Sequence, residues 1–69
     1  MEFSENLRLL RYESGMSQSE LAEKLGVSRA LIAQYETGAK SPNVILANRI
    51  AELLGVTLND MVRKESANA

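Results

Sequence analysis

Residues 17–38 read SQSELAEKLGVSRALIAQYETG. The Ser17-Gln18-Ser19-Glu20 segment has the form of a capping box, in which the Ser17 hydroxyl accepts from a first-turn amide and Glu20 reaches back to the amide of Ser17. A helix starts there, with Leu21, Ala22 and Leu25 on its buried side. Gly26 sits where a left-handed residue ends that helix, Val27 enters the core, and Ser28 supplies a fresh N-cap. The next helix covers about Arg29 to Thr37 and stops at Gly38. Only about three residues separate the two helices, and so short a connection with glycine at its first position makes them cross at a large angle.

Working outward, Phe3, Leu7 and Leu10 recur at helical spacing, which predicts a first helix over about Ser4 to Ser14, capped by Ser4 and ended by Gly15. Downstream, Ser41-Pro42-Asn43 forms a loop that caps a fourth helix over about Val44 to Leu54, and Gly55 closes it. Thr57-Leu58-Asn59-Asp60 repeats the cap pattern and starts a short last helix with Leu58, Met61 and Val62 on one side. No alternation of apolar and polar residues reaches strand length, so no sheet is expected. The predicted fold is all-α: five short helices around one core, with a helix-turn-helix at helices two and three. The folded domain is expected over residues 7–62, with the helix-turn-helix at about 18–37, and a frayed C-terminal tail over 63–69.

A chain of 69 residues holds one domain, which buries about 60% of its unfolded surface. It has no cysteine and no histidine, so disulfides, the usual zinc ligands and the commonest general acid and base are missing. No apolar run approaches the ~18 residues that a bilayer span needs. Met1 to Asn6 carry no basic cluster ahead of an apolar stretch and do not read as a signal peptide. The expectation is a soluble cytoplasmic protein with no cofactor, no metal, no membrane association and no small-molecule ligand. No nucleophile, base and orienter set and no glycine-rich phosphate loop can be assembled, which argues against an enzyme. Ser17, Ser19 and Ser28 serve instead as caps and first-turn residues. Eight Lys and Arg against nine Asp and Glu give a net charge of -1, so DNA binding requires the charges to be sorted onto one face.

From about Leu7 to Val62 the chain resembles the helix-turn-helix domain of lambda-type phage repressors and the XRE family of bacterial transcriptional regulators. The residues that carry the resemblance are Leu7 to Arg11, Ser17-Gln18 with Leu21-Ala22, Gly26-Val27-Ser28, Ile32, Glu36, Gly38, Pro42, and Leu54-Gly55-Val56 with Leu58. The resemblance implies that helix three lies in the DNA major groove with helix two crossing above it. It also implies a largely buried structural ion pair between Arg11 and Glu36, joining helices one and three.

On a helical wheel Ile32, Tyr35 and Glu36 share a side with the Ser28 cap, while Arg29, Ala30, Ala33, Gln34 and Thr37 form the opposite arc. Arg29 offers two donors matched to guanine, Gln34 pairs both ways with adenine, and Ala30 and Ala33 are small enough to reach thymine methyls. The resemblance places base contacts at Ser28, Arg29, Ala30 and Gln34. Gln18 opens helix two, where unpaired amides and the positive helix end favour a phosphate, and Lys40, Ser41 and Asn43 are placed to grip another. Glu2, Glu5, Glu13, Glu52 and Glu65 lie outside this contact segment, whereas Arg29 and Lys40 lie within it.

In helix four, Val44, Ala47, Ile50, Ala51 and Leu54 form the expected buried stripe, which leaves Ile45, Leu46 and Leu53 pointing elsewhere. Leu46 and Leu53 align with Arg49 between them and read as a homodimer interface. Two-fold pairing there presents two recognition helices to half-sites about one DNA turn apart. Leu9 and Leu31 receive no role. The leading expectation is a sequence-specific regulator that binds a pseudo-palindromic operator in double-stranded DNA as a homodimer. The alternative is a protein-interaction module, such as an antitoxin-like domain, whose DNA contact is secondary.

Overall fold

The computed structural model describes residues 3–62. The expected tail over 63–69 lies outside the described residues. Five helices follow one another: α1 (Phe3–Glu13), α2 (Gln18–Leu25), α3 (Arg29–Thr37), α4 (Val44–Leu54) and α5 (Leu58–Val62). No strand occurs among the described residues.

The helix boundaries follow from local chemistry. Ser17 Oγ accepts from the Glu20 amide at 3.0 Å while Glu20 Oε1 accepts from the Ser17 amide at 2.8 Å, closing the capping box of α2. Ser28 and Asn43 cap α3 and α4 by accepting from the amides of Leu31 and Leu46 at 3.1 and 2.8 Å. Thr57 and Asp60 exchange the same reciprocal bonds at the head of α5. Gly26 adopts φ of 77°, and its amide and that of Val27 both reach back to the Ala22 carbonyl, so the chain reverses out of α2 within one residue.

In α1 the structure differs from expectation. Phe3 is already helical and packs against the core, so Ser4 lies in the first turn and does not cap the helix.

Leu7, Leu21, Ile32, Ile50 and Met61 are the fully buried side chains, one from each helix. α3 packs against both α1 and α2, α5 closes on α1 and α4, and α2 touches α4. The Asn6 side-chain amide donates to the Met61 carbonyl at 2.7 Å and ties the first helix to the last. Leu31 is half-buried and packs against this core, whereas Leu9 is exposed.

The stripe of α4 also needs correction. Ala47, Ile50, Ala51 and Leu54 are buried as expected, but Val44 is 62% exposed and Leu46 is half-buried against the core. These two residues lie at opposite edges of the stripe, each within about 90° of its centre at ~100° per residue. Helical geometry leaves the choice between them to the neighbours. Core packing occupies the Leu46 edge, while Val44, in the first turn, borders an open groove with Phe3, Pro42, Leu58 and Val62.

Truncating Ile50 removes a side chain at the centre of this packing. Ile50→Ala is expected to lower the unfolding free energy by about 2–5 kcal/mol in urea titrations followed by circular dichroism. Ile45→Ala, on the exposed side of the same helix, is expected to stay within about 0.5 kcal/mol of the parent.

Candidate nucleic-acid interface

The pitch of α3 relative to the core is held by a buried charge pair. Arg11, in the last turn of α1, and Glu36, in the last turn of α3, are the two buried charged residues among those described. The guanidinium grips the carboxylate with two nitrogens: Nε donates to Oε2, and Nη2 donates to Oε1 at 3.1 Å. Its remaining nitrogen, Nη1, donates to the Met16 carbonyl at 2.8 Å. The hydrogen bonds from Arg11 to Glu36 hold its proton even more tightly than usual, against the opposing effect of burial. The guanidinium carbon also lies 5.1 Å from the centre of the exposed Tyr12 ring.

From this pair a chain of hydrogen bonds runs to the surface. Gln18 Nε2 donates to Glu36 Oε1 at 3.0 Å, and Gln18 Oε1 accepts from Arg29 Nη1 at 3.2 Å. Gln18 therefore spends its carbonyl oxygen and one N–H inside the protein, and its second N–H has no partner among the described residues. Arg29, the first residue of α3, is exposed but tethered by this carboxamide. Its guanidinium starts from a restrained position at the head of the helix.

Beyond Arg29, α3 presents a shallow surface. Ala30 and Thr37 are exposed, Ala33 and Gln34 are half-buried, and Ile32, Tyr35 and Glu36 face inward. The Thr37 hydroxyl donates to the Gln34 carbonyl at 3.2 Å, so Gln34 contributes its backbone to the helix end while no hydrogen bond engages its side chain among the described residues. Ser28 Oγ accepts from Leu31 as a cap and retains its own hydrogen as a donor. Lys40, Ser41 and Asn43 are all exposed on the connection from α3 to α4. Asn43 uses its oxygen as a cap, which leaves its NH2 group directed by that bond and available as a donor.

At the proposed dimer surface the three residues separate. Arg49 is exposed and Leu53 is 39% exposed, but Leu46 is partly consumed by the core. Ile45 is exposed, as the stripe leaves it, and Val44 and Val62 add exposed apolar surface that the sequence pattern did not single out. Sequence reasoning also missed the Met16 carbonyl as an acceptor for Arg11. A backbone acceptor carries no side-chain signal, and only the path of the loop brings it within reach.

The helix-turn-helix family model matches residues 7–61. The chain belongs to this family. It is 51% identical over 49 residues to an uncharacterized HTH-type transcriptional regulator from Methanothermobacter thermautotrophicus, covering 71% of each chain. It is 32% identical over 66 residues to the cryptic phage CTXphi transcriptional repressor RstR of Vibrio cholerae, covering 96% of this chain and 60% of RstR. The P22 c2 repressor, crystallised with a synthetic operator, superimposes with a TM-score of 0.86 at 22% identity over 94% of this chain and 98% of that one. That likeness establishes the lambda repressor-like fold. Hydroxypropylphosphonic acid epoxidase from S. wedmorenis also matches, with a TM-score of 0.82 at 27% identity, but only over 32% of its length against 88% of this chain. The sequence relatives place this helix-turn-helix protein among transcriptional regulators rather than enzymes. No described helix is long and apolar enough to cross a membrane.

The buried pair and its tether give a measurable coupling. Arg11→Met is expected to destabilise the protein by about 3–5 kcal/mol, because it strands the Glu36 carboxylate. Arg11→Met combined with Glu36→Leu is expected to recover much of that loss in a double-mutant cycle measured by chemical denaturation.

Proposed function

We propose that this protein is a sequence-specific transcriptional regulator that binds a pseudo-palindromic operator as a homodimer, with α3 laid in the major groove. The observation that carries this reading is the outer face of α3. It combines a tethered arginine, a glutamine whose side chain makes no hydrogen bond among the described residues, and two alanines small enough for the helix to approach base edges. In this reading Arg29 reads guanine, Gln34 reads adenine, and Ala30 and Ala33 pack on thymine methyls, with Ser28 as an additional base contact. The second N–H of Gln18 and the donors of Lys40, Ser41 and Asn43 hold backbone phosphates on the two sides of the groove.

The dimer pairs through the end of α4 and through α5. Leu53 and Arg49, with the outer edge of Leu46, form its surface, and the exposure of Leu53 and Val62 supports that choice. The functional unit spans residues 7–62, residues 63–69 form a tail, and the protein acts in the cytoplasm. A second reading is supported by the exposed Val44 and Ile45, which are apolar residues of α4: a partner protein docks on α4, and DNA contact is secondary. Stable co-purification of a partner that survives loss of DNA binding favours that reading.

Selection from a random duplex pool at about 0.1 M salt separates the two readings. The wild type is expected to enrich a two-fold site, and Arg29→Ala and Gln34→Ala are each expected to relax preference at one symmetric position, by about 1–3 kcal/mol. Enrichment of no site at any salt would sink the operator-binding reading. Because Arg29 and Lys40 are the only cations among the proposed contact residues, the dependence of affinity on salt is expected to be shallow. A slope implying many released counterions per dimer would overturn the contact set.

A further inference from the structure

Between the amino end of α1 and the loop that leaves α3 lies a cavity of about 130 Å³, lined by Phe3, Ser4, Tyr35, Gly38, Lys40 and Ser41. Each water takes about 30 Å³ of liquid volume, so a tetrahedral oxyanion fits within it. Its chemistry is one-sided. Among the described residues the lining holds three hydroxyls and one ammonium and no carboxylate. Glu36, on the neighbouring turn of α3, is spent on Arg11 and Gln18. The α1 helix, 11 residues long, directs its positive end toward this region.

Tyr35 supplies an independent observation. Its side chain is only 6% exposed, yet its hydroxyl has no hydrogen-bond partner among the described residues. Buried hydroxyls are nearly always bonded, because desolvating one without a partner is unfavourable. Lys40 likewise makes no ion pair among the described residues. Gly38, with φ of 85°, turns the chain into the loop that borders the site, and a Cβ there would stand in ordinary contact with Ser4 Oγ at 3.7 Å.

We propose that this cavity binds a phosphate group, with the Tyr35 hydroxyl and the Lys40 ammonium as its principal donors and Ser4 and Ser41 completing the cradle. The ligand is a phosphodiester of the DNA backbone, an assignment that rests on the operator-binding reading above. Lys40 and Ser41 extend the α3 face, so a backbone that follows the groove past α3 passes the mouth of the cavity. Tyr35 is a core residue by its ring and a phosphate ligand by its oxygen.

Two titrations test the site and its source of phosphate separately. In the first, inorganic phosphate is added to the free protein against chloride at matched ionic strength, and backbone amide shifts are followed by NMR. Saturable shifts at Gly38, Lys40 and Ser41 that disappear in Tyr35→Phe are expected. In the second, affinity for the selected operator and for an unrelated duplex is measured across salt. Tyr35→Phe is expected to lose roughly three- to tenfold on both duplexes with the salt slope unchanged, as removal of one neutral donor requires. Lys40→Gln is expected to lose affinity on both and to reduce the slope by about one. Tyr35→Phe deletes only an oxygen that has no partner among the described residues, so its melting temperature is expected to stay level or rise, which separates this loss from misfolding. Unchanged duplex affinity in Tyr35→Phe together with no phosphate response overturns the proposal. A phosphate response without any duplex effect overturns the backbone assignment and leaves a free-anion site. If the wild type binds no duplex at all, the operator-binding reading fails and the phosphate titration alone decides the cavity.

Discussion

Everything that α3 presents to its surroundings depends on one buried ion pair. Arg11 and Glu36 sit in the last turns of α1 and α3, and the forked geometry of the guanidinium sets both the distance and the rotation between those helices. A pair of apolar residues at these positions would hold the helices together without the directional hydrogen bonds of the fork. The charge pair also carries a cost of burial, which the Met16 carbonyl and the Gln18 amide offset by satisfying the remaining donor and acceptor sites. Through Gln18, the same network reaches Arg29 at the surface. Orientation of the outer face of α3 and packing of the core are therefore parts of one arrangement.

Charge placement explains how a chain with net charge of -1 belongs to a family of transcriptional regulators. Two acidic residues of the helix-turn-helix are spent within the protein: Glu36 on Arg11 and Gln18, and Glu20 on the α2 cap. Neutral donors on Ser28, Gln34, Ser41 and Asn43 surround the few cations. Such a surface depends on hydrogen-bond geometry more than on net field, and geometry is what the α1–α3 pair secures.

Most of the architecture is legible in the chain because its boundaries are written in local chemistry. Capping serines, threonine and asparagine, with glycines of positive φ, mark every helix end that the structure describes after α1. Phe3 and Ser4 mark the limit of that logic: Ser4 is a good capping residue, but the packing of Phe3 on the core starts the helix earlier. The α4 stripe fails for a related reason. Val44 and Leu46 flank the buried face at comparable angles, and periodicity has no means of choosing between them. The residues of the α3 face were legible too, but not their engagements. Gln18 reads as a phosphate contact at the head of α2, and its double commitment to Glu36 and Arg29 depends on how α3 packs against α2, which brings together residues 18 and 11 positions apart.

The sequence by itself determined five helices around one core, a tight turn between α2 and α3, and a resemblance to the helix-turn-helix family. These are outcomes of short-range capping, periodicity and turn chemistry, which act within a few residues and so can be read along the chain. Tertiary structure alone decided that Leu46 turns inward while Val44 stays exposed, that Gln18 links the buried ion pair to Arg29, and that Tyr35 meets Ser4 and Lys40 around one cavity. Those relations join residues far apart in the chain, and they exist only once packing has set the distances between helices.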